Sequence, residues 1–216
     1  MFEYSHLIRD LTYTAHEIAQ AYASAVGATT LDRWNDLTDT QRHDAISYAD
    51  GIFSARNVPV ESYSCGSDIV VDLLFIRVLE HCRLWGILDW HYLTQPYNAE
   101  TIDSVKIARM AQLAHEVNRI YCSLIDDTSH VAWYIAPEWQ RESAIAGVTY
   151  LLHAETRSPG LCHARWLEDK RANGWTYGAC KDYLKREHPC MQPFADLPIK
   201  QRVKDHLFVR VVDLFS

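Results

Sequence analysis

The chain has 216 residues, enough for one large domain or two small ones with a real core. Hydrophobic residues make up 48% and charged residues 23%, the balance of a folded protein and not of a disordered one. A net charge of −7 argues against broad nucleic-acid binding, which needs clustered positive charge to displace counterions.

The first segment, Met1 to Arg9, carries Glu3 and His6 where a secretory signal needs an apolar stretch. The most apolar run, Ile69 to Leu79, is interrupted by Asp72 and Arg77 and is too short to span a bilayer. The cysteines (Cys65, Cys82, Cys122, Cys162, Cys180, Cys190) form no CxxC pair. Together these features predict a cytoplasmic protein with reduced thiols and no membrane partner.

An apolar stripe at Ile8, Leu11, Ala15, Ile18 and Tyr22 predicts the first amphipathic helix. The stripe returns at Ile107, Met110, Ala114, Val117 and Tyr121, an offset of 99 residues. In the same register Ala15-His16-Glu17 matches Ala114-His115-Glu116, and Trp34 matches Trp133. Gln41-Arg42 matches Gln140-Arg141, and Ala45-Ile46 matches Ala144-Ile145. A second match pairs Asp72 and Leu74 to Val78 with Asp205 and Leu207 to Val211, at an offset of 133. Ile46 to Asp72 is 26 positions and Ile145 to Asp205 is 60, so the second half holds 34 residues that the first lacks. This self-similarity predicts two tandem helical modules, residues 1–98 and 99–216, the first truncated in its middle. Gln95-Pro96-Tyr97-Asn98 is the expected linker.

Within the second module, Thr101 and Asp103 are candidate helix caps, and Pro137 with Glu138 fits the first turn of the next helix. The Asp72 and Asp205 segments read as buried helices, with a strand left open by their β-branched content. Residues common to both modules are expected to hold the shared fold. His16 and His115 are therefore read as hydrogen-bonded structural histidines. Arg141 is kept as a candidate anion contact because a guanidinium clamps planar anions.

The unshared stretch between Val148 and Lys204 is where ligand chemistry is expected. Trp166 and Lys170 are four apart, so on a helix they share a face. Gly174 would cap that helix, and Gly178 would permit a tight turn. Trp175 and Tyr177 alternate as on a short extended segment. From Arg165 to Glu187 there are six basic and four acidic residues, a local excess of positive charge in an acidic protein. Aromatic faces beside cations suit a planar heterocycle that carries a phosphate or another anion. The competing reading makes Trp175 and Tyr177 core aromatics and the charges a solvated face. Cys162-His163, Cys180 and His188-Pro189-Cys190 lack the paired spacing of a zinc site. Asp126-Asp127 has no evident acid–base partner, and no GxSxG, HExxH or phosphate-binding glycine loop occurs. The expectation is a binding protein with no cofactor and no catalytic role.

The pattern Trp166-x-x-x-Lys170-x-x-x-Gly174-Trp175-Thr176-Tyr177-Gly178, followed by Asp182, Lys185, His188-Pro189-Cys190, Pro193-Phe194 and Leu197-Pro198, resembles the ryanodine receptor repeat, the RyR domain. The resemblance covers about residues 100 to 215 as a full repeat, with a degenerate copy at 1 to 98. It implies a mainly α fold with short β segments. It also implies an adenine-containing or cyclic nucleotide as ligand, with the base stacked on Trp166. Trp175 and Tyr177 would shape the wall, and Lys170, Arg171, Arg141 and Lys185 would meet the phosphates. The chain looks like the free-standing phage and bacterial type, for which sequestration of an immune second messenger is the implied role. A protein-interaction adaptor holding a partner's peptide is the alternative. The first module has no counterpart of Trp166 or of the Gly174 to Gly178 run. An aromatic from Trp85, Trp90, Tyr92 or Tyr97, or from a second subunit in a homo-oligomer, would have to complete a two-sided site.

Overall fold

The computed structural model describes residues 2–27, 31–53, 70–71, 73–81, 93 and 103–216. The helices are α1 (Phe2–Val26), α2 (Asp39–Phe53), α3 (70–71 and 73–81), α4 (Ser104–Leu124), α5 (Glu138–His153), α6 (Pro159–Ala172) and α7 (Ile199–Phe215). Two two-residue strands, β1 (Thr176–Tyr177) and β2 (Glu187–His188), pair in parallel. The architecture is therefore mainly α with short β segments, as the sequence predicts. The segments equivalent to 74–78 and 207–211 are both helical, which closes the strand alternative. Asp72, Thr101, the linker candidate 95–98 and the aromatics Trp85, Trp90, Tyr92 and Tyr97 lie outside the described residues. Among the described residues, no helix is long and apolar enough to cross a membrane.

The apolar stripes fix the packing. Ile8, Leu11, Ala15 and Ile18 on α1, Met110, Ala114 and Val117 on α4, and Val203, Leu207 and Val211 on α7 are all buried in one continuous core. α7 packs against both α1 and α4, so the two halves of the chain share that core. Truncating a fully buried leucine such as Leu207 to alanine costs about 2–5 kcal/mol. Tyr22 and Tyr121, equivalent by the 99-residue offset, meet with ring centroids 5.8 Å apart. Glu17 of α1 pairs with Arg210 of α7 at 3.4 Å. Its equivalent Glu116 pairs with Arg119 at 2.7 Å and lies 3.9 Å from His81 of α3.

The repeated histidines are structural. His16 Nε2 bonds the Asp32 carbonyl at 2.9 Å, and His115 Nε2 bonds the Val131 carbonyl at 2.8 Å. One residue on, Glu17 and Glu116 accept the backbone N–H of Trp34 and Trp133, at 2.9 and 2.7 Å. Each tryptophan opens a 3-10 turn that leads into the next helix. Asp103 caps α4 through its side chain, which accepts from the Lys106 amide at 2.9 Å. Pro137 stands at the N-cap of α5, one position before the first turn.

Candidate functional site

The unshared stretch builds one wall of a cleft of about 230 Å³, and α4, α5, α7 and His130 on the connection after α4 build the rest. The wall starts with α6. Ser158 caps its first turn through its hydroxyl, and Pro159 opens the helix. At the other end Gly174 has φ +75°, a left-handed conformation that a side chain disfavours. The Gly174 amide donates to the Arg171 carbonyl and the Trp175 amide to the Lys170 carbonyl, both at 2.9 Å. These are the two bonds of a Schellman closure, which brings the residue two past the cap back over the last turn. Here that closure sets Trp175 against Lys170.

Lys170 is consequently enclosed by indoles. Its Nζ lies 4.8 Å from the ring centre of Trp139, 5.8 Å from Trp175 and 5.9 Å from Trp166. Each ring supplies a face that attracts a cation. Burial pushes the Lys170 ammonium below the usual lysine range, Asp169 at 3.8 Å opposes that, and Lys181 adds to it. Trp166 stacks on His163 with centroids 5.4 Å apart and planes 27° apart, so at most one indole face remains for a ligand ring. Its edge neighbour is His188, 5.2 Å away.

His163 is buried between two acceptors, the Gln192 carbonyl at 2.9 Å and the Asp205 carboxylate at 3.4 Å. Burial opposes its protonation, yet the hydrogen bonds to Asp205 and to backbone carbonyls outweigh burial and raise its pKa. His188 and His130 behave oppositely. Burial, followed by Lys181, Lys204 and Lys170, holds His188 down at about 4. Burial, followed by Lys204, His115 and Lys181, holds His130 down at about 3. Both imidazoles are neutral at pH 7. Lys204 is anchored on Asp127 at 2.9 Å, which supplies the partner that the Asp126-Asp127 pair lacks in sequence.

Of the seven residues expected to bind ligand, Trp166, Lys170 and Trp175 line the cleft. Arg141, Arg171, Tyr177 and Lys185 do not. Arg171 is exposed, one position and about 100° round the helix from Lys170. Arg141 falls outside the α5 face formed by Gln140, Ser143, Ala144 and Gly147. Tyr177 sits on β1 and is 60% exposed, whereas the Schellman closure turns Trp175 back onto Lys170. Lys185 points outward on the β1–β2 connection and lies 3.7 Å from Asp182. Gly178 is required by close approach and not by a turn. A Cβ there would stand 2.6 Å from the Glu187 Cβ.

The cleft also takes in Trp139, Lys181, His188 and Lys204, which lie outside the seven expected contacts. The contrast between shared and unshared residues contained a signal for two of them. Trp139 aligns with Thr40 at the first offset, and Lys204 with Val71 at the second. Among the described residues, the donor atoms of Cys122, Asp127 and His130 lie within 4.8 Å of one another. The Lys204 ammonium already supplies positive charge there, and burial pushes the Cys122 thiol up to about 11, away from the thiolate that a metal prefers. The four described cysteines are free thiols.

No solved structure matches the chain. Residues 153–211 match the family model of the RyR domain, and the cleft residues Trp166, Lys170, Trp175, Lys181, His188 and Lys204 all lie within the matched stretch.

Proposed function

We propose that this chain binds a nucleotide-derived small molecule and holds it without turning it over. The observation that carries this reading is the cleft in which Trp139, Trp166 and Trp175 stand beside Lys170, Lys181 and Lys204. Indole faces hold a flat base, and ammonium groups hold its phosphates. A volume of about 230 Å³ is just under the usual range of ligand pockets, ~300–1,000 Å³. That favours a mononucleotide-sized ligand over a cyclic dinucleotide. Asn118 adds a polar handle, since it lines the cleft and its Oδ1 is buried without a partner. An exocyclic amine on the base would satisfy it.

The finer reading follows from the resemblance to the ryanodine receptor repeat. The chain is a tandem of two related modules of the free-standing phage and bacterial type, and it works in the cytoplasm as a sponge for an immune second messenger. Equal hydrogen bonding at His16 and His115 supports the tandem. One complete site per chain is the corollary, with the first module serving as packing partner.

Calorimetric titration of adenine nucleotides, cyclic ADP-ribose and cyclic dinucleotides tests the proposal. A mononucleotide-sized ligand should bind, Trp166→Ala should weaken it at least tenfold, and denaturation should release it intact. No binding by any of these, or equal binding by Trp166→Ala, sinks the nucleotide assignment. A second reading, a peptide-holding adaptor, is favoured by the apolar side chains left in solvent, with Tyr134 81% and Leu184 97% exposed. A stoichiometric protein partner in a pull-down, together with no small ligand, would replace the first reading with this one.

A further inference from the structure

The strongest unassigned chemistry sits around His188. The Cys190 backbone N–H donates to His188 Nδ1 at 3.0 Å. A backbone amide can only donate, so Nδ1 carries no proton and the hydrogen of the neutral ring is on Nε2. Among the described residues, no protein acceptor meets that Nε2–H. The ring lies on the cleft, flanked by the indoles of Trp166 at 5.2 Å and Trp175 at 6.4 Å.

Three ammonium groups act on the same imidazole, those of Lys181, Lys204 and Lys170. Lys170 has its carboxylate neighbour in Asp169 and Lys204 has Asp127. Lys181 also lines the cleft and lacks a carboxylate partner among the described residues, its Nζ resting 4.9 Å from the Tyr183 ring. Asp205, the other carboxylate on the cleft, is turned to His163. An N–H donor without a protein acceptor and an ammonium without a carboxylate partner, both lining the same cleft, form an arrangement that an anion completes.

We propose that this point is a phosphoryl subsite, in which the His188 Nε2–H and the Lys181 ammonium contact the anion and Lys170 and Lys204 add to the field that holds it. The subsite rests on the nucleotide reading and deepens it by naming where the phosphate goes. It assigns Lys181 and His188, and not Arg141, Arg171 or Lys185, to that group.

The test compares adenosine, AMP and inorganic pyrophosphate on the full chain by calorimetry. AMP should bind at least tenfold more tightly than adenosine, and pyrophosphate should compete with it. Lys181→Gln should weaken AMP and pyrophosphate on the order of tenfold or more while leaving adenosine unchanged. His188→Asn keeps an acceptor near the Nδ1 position for the Cys190 amide but removes the Nε2 donor, and should act in the same direction. A thermal melt matching wild type establishes that both variants fold, and Lys181 alone decides should His188→Asn fail that check. AMP binding that survives Lys181→Gln unchanged, or that pyrophosphate does not displace, overturns the subsite and leaves the nucleotide reading standing. Pyrophosphate binding that is lost in Lys181→Gln, with neither AMP nor adenosine bound, supports the subsite and removes the nucleotide. No pyrophosphate binding at all overturns the subsite.

Discussion

Gly178→Ala is expected to distort the site from outside it. The new Cβ would lie 2.6 Å from the Glu187 Cβ, 2.8 Å from its Oε2 and 3.0 Å from its Cγ, whereas ordinary contact begins at 3.4 Å. The Glu187 Cβ is fixed to the backbone and cannot swing aside, so β1 and β2 must part by about 0.8 Å along that line. The Gly178 amide reaches the His188 carbonyl at an already long 3.4 Å, so that bond is the first to be lost. Overpacking of this kind costs about 1–3 kcal/mol. For a chain of this size that corresponds to a fall in Tm of roughly 2–12 °C. His188 follows Glu187 directly and Trp175 lies three residues before Gly178, so near-ultraviolet circular dichroism should change along with the melt. Gly160→Ala is the internal control. Its Cβ would meet only Phe194 Cδ1 at 3.9 Å within a helix, and it should gain up to about 1 kcal/mol. A Gly178→Ala protein with wild-type melting and wild-type aromatic signals would refute the close-approach argument.

Lys170→Met exchanges a buried ammonium for a thioether of similar length. Burial disfavours the charge there, so the variant should hold its Tm within a few degrees while losing at least tenfold in nucleotide affinity by calorimetry. A large fall in Tm would show that the three indoles bind the cation more strongly than burial penalises it. His188 has a folded pKa of about 4, below its usual 6.5, so the unfolded chain takes up the proton first. Stability should therefore fall as pH drops from about 6.5 toward 4, by at most ~1.4 kcal/mol per pH unit from this residue, and His188→Asn should flatten denaturant midpoints across that window. His163 is shifted the other way: its stabilisation is full below 6.5 and is lost as pH rises through its raised pKa. The gap in Tm between wild type and His163→Gln should accordingly be widest in acid and should narrow above neutrality.

What was legible in the sequence was local. The Trp166–Lys170 pair follows from helical spacing and the Gly174 cap from glycine's access to positive φ, so both could be read from a few adjacent residues. The same local logic does not carry to Trp175 and Tyr177: the expected alternation starts at Trp175, which the helix closure turns back onto Lys170. Arg141, Arg171 and Lys185 are expected at the phosphates from guanidinium and ammonium chemistry and from the resemblance, and neither says on which side of an element a side chain leaves it. The residues that complete the cleft come from α5, the β1–β2 connection, β2 and α7. Only packing brings Trp139 and Lys204 to Lys170 and His188, and no periodicity within one segment reports it. The sequence registers do differ there: Trp139 stands 99 positions after Thr40, and Lys204 133 positions after Val71.

One recurring contact underlies the position of the cleft wall. A helix histidine bonded to the carbonyl two residues before an aromatic that opens a 3-10 turn occurs at His16 with Trp34, at His115 with Trp133 and at His163 with Phe194. In the first two, the glutamate beside the histidine binds the tryptophan amide, so the device closes on itself. At His163 the next residue is Ala164, and the carboxylate present meets the histidine itself, Asp205 on α7 lying 3.4 Å from its Nδ1. That pairing ties α6 to the helix that fills the common core. It also leaves an imidazole of raised pKa against the face of Trp166, three residues along. A fold that needs the histidine for packing thereby acquires a rigid indole at the cleft wall, held by buried groups and not by the ligand it would bind.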